Sequence, residues 1–200
     1  MADSVTITGS DVGWYEDTPA DFTATFDYDG LSTLCVTLTN ETIDATSTGA
    51  ITALAFQKGA ATSVSLTGQS GDLDSDTAWA QFGSGLDTPP PGGSVGFFDV
   101  ALAVGGGSTA NDWMGAGDGS DGIEVGETVK FTFNVVGGAG LSVMNFLTAN
   151  PEGARMAIRV KGVGSPPGDS DTAVLVPLPP AAWMGMAGLL GAGVLRRRFR

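Results

Sequence analysis

Three stretches, DFTATFDY, LCVTLTN and VKFTFNVV, alternate apolar and polar side chains one by one. Phe22, Ala24, Phe26 and Tyr28 fall on one side. So do Leu34, Val36 and Leu38, and so do Val129, Phe131, Phe133 and Val135. A period of two belongs to a strand with one face buried, whereas a helix needs a period of 3.6. SVTIT, AITALAF, SVSLT, AWAQF, GFFDVALAV and ARMAIRV are further short runs, rich in the β-branched and aromatic residues that suit a pleated surface. Between them stand DTPPPGGS, VGGGST and GAGDGSDG, where proline and glycine stop strands and set turns. Roughly nine short strands are expected, with connections too short for helical crossovers, so they pair antiparallel. The predicted fold class is all-β: an antiparallel β-sandwich, jelly-roll or Ig-like, with a β-barrel as the alternative. One short helix is predicted at LSVMNFLTAN, where Leu141, Met144 and Leu147 recur at helical spacing before Pro151.

Charge and composition narrow the function. All 22 acidic residues lie between Asp3 and Asp171, opposed there only by Lys58, Lys130, Arg155, Arg159 and Lys161. Such a body repels nucleic acid, so no nucleic-acid partner is expected. Histidine is absent, which excludes Ser-His-Asp and Cys-His catalysis. Cys35 is the single cysteine, so neither an intrachain disulfide nor a CxxC metal site can form. Between its apolar neighbours it is expected to be a buried small hydrophobe.

Several local patterns bear on chemistry. GGGSTA, Gly105 to Ala110, fits a dinucleotide fingerprint, but NDWMGAGDGSDG follows it and cannot supply the required helix. It reads as a loop. In DLDSD, Asp72, Asp74 and Asp76 point one way if the segment is extended, and GDGSDGIEVGE offers Asp118, Asp121, Glu124 and Glu127. Calcium takes oxygen-rich loops of this kind, although neither stretch completes an EF-hand pattern. Hydrated acidic loops are the simpler reading, so no cofactor is expected and calcium is the one candidate ligand. Trp14, Tyr15, Trp79 and Trp113 could form a sugar-stacking platform or cap the core. A carboxylate pair could in principle hydrolyse glycosides. Asn40 to Thr42 is a glycosylation triplet, taken as chance.

The C-terminus departs from everything before it. Ala181 to Leu195 is a run of 15 residues without charge, about 22 Å long as a helix against a bilayer core of about 30 Å. No polar face exists to make it amphipathic. Arg196, Arg197, Arg198 and Arg200 follow it and are expected to stay cytoplasmic. Trp183 then falls near the opposite interface. Gly185, Gly188, Ala192 and Gly193 are small enough to let another helix approach closely.

VPLPPAAW, the glycine-rich apolar run and RRRFR together resemble the C-terminal sorting signal of PEP-CTERM proteins, in its VPLPA subclass. Pro180 stands where that subclass usually has alanine. The resemblance implies an exosortase, a membrane protease of Gram-negative bacteria, as partner. It implies recognition at Val176, Pro177, Leu178 and Pro179, with cleavage at or near them. It further implies an exported precursor tethered in the inner membrane and then released to the cell surface or extracellular matrix. Members carry an N-terminal secretion signal. MADSVTITG has no basic n-region or apolar h-region, and ADSVTI resembles the start of a mature exported protein, so a leader upstream of Met1 is expected. VGETVKFTFNV, LSVMNFL and ARMAIRVKGVG more loosely resemble the ectodomains attached to such tails.

The predicted organisation is a β-sandwich ectodomain over 1–161, a Gly/Ser/Pro/Asp linker over 162–175 and a sorting signal over 176–200. The signal divides into a motif at 176–179, a transmembrane helix at 181–195 and an arginine cluster at 196–200. The expected function is that of an exported surface or matrix protein with a structural or adhesive, non-catalytic role. A carbohydrate- or calcium-binding surface module, with extracellular polysaccharide as partner, is the alternative. An envelope glycoside hydrolase comes last.

Overall fold

The computed structural model describes residues 2–14, 20–42, 49–72, 79–82, 86–87, 96–104, 121–163 and 169–175. Among them run thirteen strands: β1 (Asp3–Thr8), β2 (Gly13–Trp14), β3 (Phe22–Tyr28), β4 (Thr33–Asn40), β5 (Ala50–Phe56), β6 (Ser63–Gly71), β7 (Trp79–Phe82), β8 (Leu86–Asp87), β9 (Phe97–Phe98), β10 (Val100–Val104), β11 (Thr128–Val136), β12 (Met156–Val163) and β13 (Asp169–Leu175). One sheet has the order β1-β3-β4-β11-β6 and a second the order β2-β13-β12-β5-β10-β7, with β8 and β9 forming a small ribbon. Every pairing is antiparallel. The protein is all-β, as the alternation requires.

The inner faces of the two sheets share one apolar core. Phe22, Phe26, Leu34, Val36, Leu38, Phe131 and Phe133 come from the five-stranded sheet, and Leu54, Phe56, Leu102, Met156 and Ile158 from the six-stranded one. The Phe56 ring meets Phe26 and Phe133 edge-on, each at 5.5 Å and 87°. That geometry places the positive edge of one ring on the negative face of another.

The outer faces differ. On the five-stranded sheet many of the intervening residues are hydroxyl-bearing and reach solvent: Thr6, Thr25 and Thr37 stand in one cross-strand row, and Thr8, Thr23, Thr39 and Thr128 in the next. Thr6 and Thr25 hydroxyls pair at 3.0 Å and those of Thr39 and Thr128 at 2.9 Å. On the six-stranded sheet the outer face is also buried. Ala53, Ala55, Ala101, Ala103 and Ala157 pave it, with Phe98, Ala154 and Val174 in the same cluster.

At the corner where β6 meets β7, Gln81 stands in for a strand. Its side-chain oxygen accepts from the Leu66 amide and its nitrogen donates to the Val64 carbonyl. This satisfies part of an edge that would otherwise be open to pairing.

Three local expectations change. The segment at LSVMNFLTAN is a 3₁₀ helix over Val143–Leu147, burying Val143, Phe146 and Leu147, while Met144 is exposed. The buried set is Val143 and the residues three and four beyond it, which leaves Met144, one step along from Val143, facing solvent. Both Asp3 carboxylate oxygens accept from the Val143 amide, which ties the start of this helix to β1.

Cys35 is half-buried on the outer sheet face, opposite Asp27 and Thr132, rather than in the core. The parity that sends Leu34 and Val36 inward sends Cys35 outward.

Residues 162–175, read as linker, largely belong to the sheet. β12 runs on through a register shift at Gly162, whose φ of 76° glycine tolerates. β13 then returns along β12, with Thr172, Ala173 and Val174 buried. The glycine, serine and proline of GSPPG separate two paired strands.

Candidate functional site

The fold has two ends of different character. At the far end β4 finishes and β11 begins. Asn40 is buried there and joins three segments. Its amide nitrogen donates to the carbonyls of Gly49 and Ile123, and its oxygen accepts from the Thr42 amide and hydroxyl. A side chain so enclosed is no glycosylation acceptor in the folded protein.

Asp72 also lies at this end. Its carboxylate accepts from the Thr128 amide at 3.0 Å, and its own amide donates to the Thr128 carbonyl. That carboxylate closes the β6–β11 ladder. Glu127 likewise accepts from the Glu124 amide and fixes the turn into β11. Asp121 precedes that turn and is half-buried. Asp74, Asp76 and Asp118 lie outside the described residues. Among the described residues no three acidic or cysteine side chains gather in a way that would hold a metal.

The opposite end is where β13 finishes. The Arg155 amide donates to the Leu175 carbonyl at 2.8 Å, so the chain stays in the sheet up to the residue before Val176. The start of β12 borders this exit, and the β3–β4 turn and the Val143–Leu147 helix lie at the same end of the fold. In the turn, one Asp29 carboxylate oxygen accepts from the amides of Leu31, Ser32 and Thr33. These bonds, the one from Thr33 foremost, hold the Asp29 carboxyl at about 2, below its usual range. Tyr28 donates its hydroxyl to the Gly138 carbonyl at 2.8 Å and packs on Phe146, and burial raises its pKa.

An open hollow of about 370 Å³ lies beside this end, lined in part by Asp3, Asp27, Tyr28, Asp29, Thr33 and Cys35. Two of its carboxylates, Asp3 and Asp29, already accept backbone amides.

Trp79 is buried, 5.0 Å from Phe131. It belongs to the core rather than to a sugar platform. Trp14 sits on β2; Tyr15 and Trp113 lie outside the described residues.

Sequence reasoning missed Arg159. It is a buried cation on β12, reaching the Ser170 hydroxyl at 3.0 Å, and burial draws its guanidinium down to about 10. The signal was available: ARMAIRV puts Arg159 inside an apolar strand.

The sorting-signal candidates Val176, Pro177, Leu178, Pro179, Trp183, Arg196, Arg197, Arg198 and Arg200 all lie outside the described residues. Among the described residues no helix is long and apolar enough to cross a membrane. Comparison with protein-family models, curated proteins and solved structures finds no match.

Proposed function

We propose that this chain is an exported bacterial surface or matrix protein, in which a β-sandwich is carried on a C-terminal sorting signal. Two antiparallel sheets with a shared core support the sandwich, of the jelly-roll or Ig-like kind. The observation that carries the reading is the three-part tail: VPLP, an uncharged stretch of 15 residues, then four arginines in the last five positions. In this reading 181–195 enters the inner membrane as a helix with the arginines inside the cell. An exosortase-type protease recognises Val176–Pro179 and frees the body. The body has a structural or adhesive role and no catalytic residues.

The test is the mass of the mature C-terminus after export in a host carrying such a protease. Loss of the apolar run and arginines, with a new end at or near Val176–Pro179, is expected. An end at Arg200 in the exported protein would contradict processing.

A carbohydrate-binding module is the second reading, favoured by the threonine face. Apart from Asp27 and Lys130, the outward residues of β1, β3, β4 and β11 after Asp3 are uncharged. Such a face suits a neutral, hydroxyl-rich polymer. Retention on neutral glycans that is lost in Thr25→Lys/Thr37→Lys would support it, and background retention on every glycan would remove it.

A further inference from the structure

Among the described residues, the large hydrophobic side chains left exposed are Leu31 (66%), Phe97 (54%), Val136 (48%), Met144 and Val125 (both 46%). All but Val125 stand at the end where β13 finishes. Leu31 is in the β3–β4 turn, next to the segment that follows Val136: the Gly140 amide donates to Gly30, and the Val135 amide to Ser32. Met144 is on the 3₁₀ helix that closes this end. The Phe97 carbonyl accepts from Gln57, just past the end of β5.

None of these side chains belongs to either buried cluster, so the core between the sheets does not need them. Exposed apolar side chains gathered on one side of a soluble body mark a surface that meets something apolar.

The chain's own path says what that is. β13 carries the backbone to Leu175 at this same end, and the uncharged run begins at Ala181. Only residues 176–180 lie between, three of them proline. Five residues reach about 17 Å at full extension. Headgroup layers add only about 5–8 Å on each side of the hydrocarbon. The difference leaves roughly 10 Å of slack, so the end of the body that carries the tether stays close to the surface.

We propose that this end of the fold, tipped by Leu31, Phe97, Val136 and Met144, is a lipid-facing surface that rests on the bilayer while the tail holds the protein there. The proposal rests on the tail reading given above. The lipid it fits is zwitterionic. Asp29 keeps its charge at this end far below neutral pH, and Asp3 and Glu152 add carboxylates against Lys58 and Arg155, so anionic headgroups would be repelled. Contact also presents Val176–Pro179 at the depth where a membrane protease works.

The test uses the full chain in a Cys35→Ser background, with one cysteine placed by Leu31→Cys, Met144→Cys or, at the far end, Val125→Cys. Each is labelled with a polarity-sensitive fluorophore and reconstituted with phosphatidylcholine–phosphatidylethanolamine vesicles. The expected result is flotation of all three. The Leu31 and Met144 labels should shift to the blue and be quenched several-fold more by a lipid-borne quencher than the Val125 label. Equal emission and quenching at all three positions, in chains that float, overturns the proposal and leaves the tail reading intact. Chains that stay at the bottom of the gradient overturn the tail reading, and the lipid-facing surface falls with it. Added phosphatidylglycerol should reduce quenching at Leu31; an increase would contradict the zwitterionic preference.

Discussion

The two sheets solve burial differently. In the five-stranded sheet, β3 and β11 bury every second residue and leave mainly polar side chains outside, Val136 at the end of β11 being the exception. In the six-stranded sheet, β5 and β10 are buried at every position. One face of those strands carries Leu54, Phe56 and Leu102, and Ala53, Ala55, Ala101 and Ala103 line the other. A strand covered on both sides has no polar alternation to show. The lesson is that side-chain size marks which face is which: large residues fill the space between the sheets, and alanine fits where a covering layer lies close to the backbone.

The largest effect tests the inner layer. Phe56→Ala removes the ring that bridges Phe26 and Phe133 and should cost about 3–5 kcal/mol, read from denaturant unfolding. A loss under 1 kcal/mol would mean that the sheets are not held together there.

Overpacking the alanine layer comes next. Ala55→Leu should destabilise by about 1–3 kcal/mol, whereas Thr25→Leu on the other sheet's outer face should be tolerated. Equal effects would erase the distinction between the sheets.

Smaller again is the turn at the exit end. Asp29→Ala removes the acceptor of three amides and should cost about 1 kcal/mol, the scale of a lost cap. Its pH dependence has a definite sign. A carboxyl held at about 2 in the folded chain and near 3.9 when unfolded stabilises fully above the higher value. That stabilisation fades as pH falls through the lower one. Asp29→Asn should therefore flatten the loss of melting temperature between about pH 4 and 2. An unchanged acid profile would show that the carboxylate's charge plays no part. The smallest effect is Thr37→Val on the solvated face, within about 0.5 kcal/mol.

This contrast also explains what the sequence could show. DFTATFDY and VKFTFNVV announced β3 and β11 with the correct inward residues, because one-sided burial writes itself as alternation. AITALAF gave a strand but not its two faces. β13 was hidden because DSDTAVL begins polar and follows GSPPG, so a strand that lies between β2 and β12 reads as part of a linker. Cys35 was misplaced by weighing its neighbours' polarity above its parity. The acidic residues read as hydrated loops, with calcium as the alternative, yet Asp72 and Glu127 accept backbone amides; for Asp72 the partner, Thr128, is far away in the chain, where no local pattern reveals it. The exposed apolar end drew on four separate segments, and no local pattern unites Leu31, Phe97, Val136 and Met144.

The most direct measurement is fractionation of the full chain, given an export leader, in a host without a processing protease. Recovery in the membrane pellet, resistant to alkaline carbonate and released by detergent, with the body open to external protease in spheroplasts, is the expected result. A chain found wholly in the soluble fraction would contradict the address assigned to residues 176–200, and with it the proposed role.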